Sequence, residues 1–122
     1  MIERTKQINI GEKHFTVNFP NVGQLIDIEA RKQSLTGNRY GSMAASGIAS
    51  MYMALDVVDT IAFLTVCVPE IAKYYNIIDY SSLSPDKMNT YVTVYKEQIL
   101  PWYNQIMMEL KGVTDDSKGA KS

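Results

Sequence analysis

Ser42 to Val68 reads SMAASGIASMYMALDVVDTIAFLTVCV, the longest apolar run in the chain, closed by Pro69. Apolar residues recur at Ile48, Met51, Leu55, Val58, Ile61 or Ala62, and Val66, the three-or-four spacing of one helical face. The run therefore predicts a buried central helix. Small residues fill its first half (Ala44, Ala45, Ser46, Gly47, Ala49, Ser50) and permit close backbone approach, while Leu55, Val57, Val58, Ile61, Phe63, Leu64 and Val66 supply core volume in the second. A glycine in a helix interior costs about 1 kcal/mol relative to alanine, and the whole run exceeds the usual helix length. A bend or break is expected between Gly47 and Asp56.

A run of this length also suits a bilayer span. Asp56 and Asp59 oppose that reading, since each would cost about 2.5 to 3.5 kcal/mol at the centre of a membrane helix, and no membrane partner is expected. The two acids share a helix face. No histidine or second carboxylate pair accompanies them at ligand-like spacing, so they read as the wet edge of a half-buried helix, or as partners of an arginine such as Arg31 or Arg39.

Upstream, Lys6–Ile10 and His14–Phe19 each alternate polar with apolar residues around Gly11-Glu12-Lys13, the pattern of a short hairpin. An isolated two-stranded hairpin is marginal in water, so its apolar face must lie on the helices or pair with another chain. Asn21 caps the next helix with Gln24 as its capping-box partner; Val22, Leu25, Ile28 and Leu35 mark its buried face, with Ile26 beside it. Thr36–Gly41 reads as a loop.

Downstream, Pro69 opens one or two helical turns to Tyr75, and 76–84 is a connection anchored by Ile77 and Ile78. Ser84-Pro85-Asp86 is a helix start: a cap, a proline at the first helical position and an acid in the first turn. Met88, Tyr91, Val92, Tyr95 and Ile99 form the buried stripe of this helix, continued by Trp102 or Tyr103, Ile106 and Leu110. Pro101 is expected to kink or split it, and Gly112 to end it.

The fold class that follows is mainly α, a compact helical domain with a short N-terminal β-hairpin and a disordered C-terminal tail. Residues 1–111 form the single domain, with the hairpin at about 5–19, and 112–122 a flexible polar tail. At 122 residues the chain is long enough for one real core. Its formal net charge of −1 gives no electrostatic ground for nucleic-acid binding. Cys67 is the only cysteine and sits between two valines, so it reads as a buried small hydrophobe, and His14 is the only histidine. No catalytic residue, metal site or cofactor is expected. Without an apolar signal region at the N-terminus, the chain is expected in the cytoplasm where it is made. Eight tyrosines and seven methionines suit adaptable protein contacts.

The opening INIGEKHFTVNFPNVGQLIDIEARK resembles that of small tailed-phage tail assembly chaperones. The residues that carry the likeness are Gly11-Glu12-Lys13, Phe15-Thr16-Val17, Phe19-Pro20, and Val22-Gly23-Gln24-Leu25 through Ile28-Glu29; Ala54–Ile71 and Gln98–Gly112 are similar as a helical hub and a closing helix. The resemblance implies a non-enzymatic morphogenesis factor in the host cell cytoplasm. Such a factor binds the long tape-measure protein, keeps its apolar helices soluble and recruits tail-tube subunits. The alternative is a virion structural component, a head-tail connector or capsid accessory protein. Contacts with phage proteins are expected around Tyr52, Tyr91, Tyr95, Trp102 and Tyr103, and an exposed hairpin edge leaves room for a homo-oligomer.

Overall fold

The computed structural model describes residues 2–112, so the expected tail lies almost wholly outside the described residues. Two strands, β1 (Thr5–Ile10) and β2 (Lys13–Asn18), form an antiparallel hairpin with Thr5 opposite Asn18 and Ile10 opposite Lys13. Gly11 takes φ +60° and Glu12 stays on the negative side, the pattern of a type II′ turn, whose twist suits a two-residue hairpin. Ile8, Ile10, Phe15 and Val17 project from one face and are buried in the common core. That face lies on the helices of its own chain.

Helix α1 (Val22–Thr36) starts at Asn21, whose side chain accepts from the Gln24 amide while the Gln24 side chain accepts from the Asn21 amide, each at 2.9 Å. It ends at Gly37 in the left-handed region. Its expected apolar face is only partly covered: Ile28 is buried, but Val22, Ile26 and Leu35 are exposed. The spacing was that of a helix, yet α3 lies along a narrower stripe of it than four apolar positions would fill.

The central run divides. Helix α2 (Tyr40–Ala44) begins inside the stretch expected to be loop, and α3 (Ala49–Cys67) follows after a break at Gly47, where φ is +72°. Ser46 Oγ accepts from the Ile48 amide at 3.2 Å within the break, and no side chain caps α3 itself. The small residues before this break do not serve close approach. Ala44, Ala45 and Ser46 are exposed, and a side chain at Gly41 or Gly47 would meet nothing within 4 Å. Only the second half of α3 is the expected hub, with Thr60, Ile61, Ala62, Phe63 and Leu64 buried; Ile48, at the head of the predicted stripe, is exposed.

Helix α4 (Pro69–Tyr75) ends at Asn76 in the left-handed region. In the following connection Ile77 packs on the core, whereas Ile78, expected as a second anchor, points wholly into solvent; a short 3-10 turn at Tyr80–Ser82 brings Tyr80 inward instead. Helix α5 (Pro85–Val94) starts as its sequence signals, with Ser84 Oγ accepting from the Lys87 amide. The expected break at Pro101 takes another form. The chain stays helical, passing through a π-turn at Tyr95–Ile99 into α6 (Leu100–Leu110). Pro101 has no N–H for the carbonyl one turn back, and the wider turn before it absorbs that mismatch. Gly112, at φ +69°, stands just past the end of α6.

Candidate functional site

Four of the five aromatic residues expected at a contact surface are parts of the core or its margin. Tyr91, Tyr95 and Trp102 are buried and Tyr103 is half-buried. They link the hairpin to the helices through ring contacts: Phe19 meets Trp102 edge-on at 6.0 Å and stacks on Tyr103 at 5.3 Å, while Phe63 meets Tyr95 and Tyr103, each at 5.5 Å. Tyr91 sits between Tyr75 and Tyr80. Trp102 also donates its indole N–H to the Glu3 carbonyl at 2.8 Å. Burial pushes the Tyr95 hydroxyl well above the ordinary tyrosine range. Tyr52 alone of the five is exposed, on the first half of α3 with Ile48 and Met53.

Of these, Met53 also lines a groove of about 940 Å³ between α3 and α5. Met53, Ala54, Val57 and Ile61 form one wall, and Leu83, Pro85, Met88 and Val92 the other. The α3 wall runs from residue 53 to 61, about 12 Å at the helical rise. Asp56, Lys96 and Glu97 stand at the edge, where Lys96 Nζ lies 2.9 Å from Asp56 Oδ2. Tyr80 closes the floor. Its hydroxyl is buried without a hydrogen-bond partner among the described residues, and burial pushes it up to about 12. No sequence signal marked this groove, because its walls come from segments some thirty residues apart whose apolar positions look like ordinary core.

The acids of α3 are held by residues other than the expected arginines. Arg31 pairs with Asp27 on its own helix, and Arg39 donates to the Thr36 carbonyl. Asp59 accepts from the Tyr40 hydroxyl at 2.6 Å and has Lys32 Nζ at 3.7 Å, with the Lys32 ammonium also over the Tyr40 ring. Burial raises the Asp59 carboxyl above its ordinary value, and the Tyr40 hydrogen bond and Lys32 only partly oppose this. Asp56 and Asp59 therefore form a polar belt that ties α3 to α1, α2 and the π-turn.

Burial pushes the half-buried Cys67 thiol up to about 12, so it stays protonated near neutral pH. His14 is exposed on β2 with its ring against the Asn9 side chain. Among the described residues no three His, Cys, Asp or Glu side chains gather closely enough to hold a metal. One described helix, Ala49–Cys67, is long and apolar enough to cross a membrane by length and composition alone. Its two acids are bound to basic and hydroxyl partners within the fold.

Fold and groove define a small, mainly α domain with an N-terminal hairpin and an apolar cleft between two helices. No protein family, curated protein or solved structure matches the chain.

Proposed function

We propose that this chain is a non-enzymatic morphogenesis factor of a tailed phage, a tail assembly chaperone that holds apolar helical segments of the tape-measure protein and recruits tail-tube subunits. The observation that carries the reading is the α3–α5 groove, with apolar side chains on both walls and the exposed Met53 among them. An amphipathic helix docks in such a cleft through anchors spaced three, four and seven residues apart. Methionine-lined walls adapt to anchors of different shape, which suits a client with many similar apolar repeats. The resemblance noted in the sequence supplies the client, and its quoted residues serve structural roles here: Gly11 makes the hairpin turn and Gln24 completes the α1 cap.

The test is capture of the tagged full chain from lysate of infected cells, with mass spectrometry of the eluate and of purified particles. Tape-measure and tube proteins in the eluate, with this chain missing from particles, support the chaperone. Fixed stoichiometry in particles makes it a virion component, and recovery of neither set overturns both readings. A Met53→Glu variant, which sets a charge on the groove wall, is expected to lose the tape-measure protein while keeping its helical spectrum.

A further inference from the structure

The hairpin has two outer edges, and only the β1 edge is bonded by a side chain of the described residues, at Asn9. The Phe19 amide donates to the Arg4 carbonyl at 2.7 Å, so these residues form a hydrogen-bonded pair. Bonded and non-bonded pairs alternate along an antiparallel ladder. In the observed register the main-chain groups of Thr5, Gln7 and Asn9 therefore point outward from β1, and those of His14, Thr16 and Asn18 outward from β2. On the β1 side the Gln98 side chain accepts from the Asn9 amide and donates to the Asn9 carbonyl, both at 2.8 Å. At Asn9, Gln98 thus occupies the place a neighbouring strand would take. On the β2 side no described residue hydrogen-bonds the main-chain groups of His14, Thr16 or Asn18. An open groove of about 590 Å³ runs beside that edge, with Glu70, Lys73 and Tyr74 of α4 as its far wall.

We propose that the β2 edge pairs with β2 of a second copy of this chain, antiparallel about a two-fold axis through Thr16, joining the two hairpins into one four-stranded sheet. This register sets Thr16 opposite Thr16 and His14 opposite Asn18 in both directions, so each pair exchanges both of its main-chain hydrogen bonds. Moving the axis one residue either way loses a pair within the strand. On the core side Phe15 falls opposite Val17 of the second copy, an aromatic and β-branched pairing of the favourable kind, and no like charges meet. Self-complementarity of the strand in this register selects a second copy over an unrelated peptide. The inference does not rest on the tail-assembly reading.

The test is the mass of the full chain by light scattering and sedimentation over a concentration series. The wild type is expected at twice the chain mass. T16K and T16E each place like charges at the axis and are expected to weaken the dimer about tenfold or more, while an equimolar mixture of the two returns to twice the chain mass. In a Cys67→Ala background, T16C is expected to close a disulfide between copies, since paired Cα atoms about 5.5 Å apart suit one, and T5C is not. A wild type that stays at single-chain mass throughout, or a dimer that T16K leaves unchanged, overturns the proposal.

Discussion

From Thr60 to Leu64 every residue of α3 is buried, whereas from Ala49 to Ala54 none is. The two stretches belong to one unbroken helix, yet one is the hub of the domain and the other stands largely in solvent, with Tyr52 and Met53 exposed beside Ile48. What differs is coverage and volume. The second half carries Ile61, Phe63 and Leu64, large enough to reach the hairpin and the C-terminal helices; the first carries alanine, serine and flexible methionine, and faces a cleft. Asp56 and Asp59 mark the border, because their carboxylates collect Lys96, Lys32 and Tyr40 and stop the core from spreading further along the helix. Apolar character makes a helix face available for burial, and neighbours decide whether it is used.

The sharpest way to break this contrast is Phe63→Ala, which removes a buried ring touching Tyr95 and Tyr103. A loss of about 3–5 kcal/mol in urea-unfolding free energy is expected. Next comes Gly47→Ala at the junction of α2 and α3. Nothing crowds the position, but its φ of +72° is left-handed, so a loss of about 1–2 kcal/mol is expected from backbone strain alone. A third probe reads the border by pH. Because burial raises Asp59 above its ordinary value of 3.8, the folded chain holds that proton more tightly than the unfolded chain. Its contribution is most favourable below the unfolded value and declines as pH rises through the raised native one. Asp59→Asn still accepts from Tyr40 and is expected to flatten this decline in unfolding curves measured across pH. The smallest effect is expected at Met53→Ala, within about 0.5 kcal/mol in the same urea assay as for an exposed side chain, even though it lies on the same helix as Phe63. A loss at Met53 equal to that at Phe63 would erase the distinction between the halves.

Features set by neighbours in the chain were legible from the sequence. The alternation of Ile8, Ile10, Phe15 and Val17 marked the hairpin, Asn21 with Gln24 and Ser84 with Pro85 marked helix starts, and Gly47 marked the break. Features set by distant partners were not. Periodicity placed Tyr91, Tyr95 and Trp102 on a stripe, and composition suggested contact surfaces, but only the folded arrangement shows Trp102 against Phe19, Tyr95 against Phe63, and Tyr91 between Tyr75 and Tyr80. The partner of Asp56 lies forty residues away, and no spacing rule selects Lys96 over Arg31 or Arg39. Val22, Ile26 and Leu35 had the right period for burial, and the coverage they needed did not arrive. Pro101 signalled an interruption, while its form, a π-turn that carries Gln98 to the edge of β1, depended on where the hairpin sits.

The ties between the hairpin and the last helices bear on how the chain acquires its fold during synthesis. Ile2, Glu3 and Arg4 are held by Glu109 and Trp102, and Asn9 by Gln98. On a ribosome the hairpin emerges early, but the residues that cover it follow about ninety positions later, an interval on the order of several seconds at typical translation rates. Until then Ile8, Phe15 and Val17 have no complete core to enter, and both strand edges are open. Contacts this distant in sequence delay folding, so the nascent chain passes through a stage in which its own N-terminal segment is the part most in need of protection from aggregation.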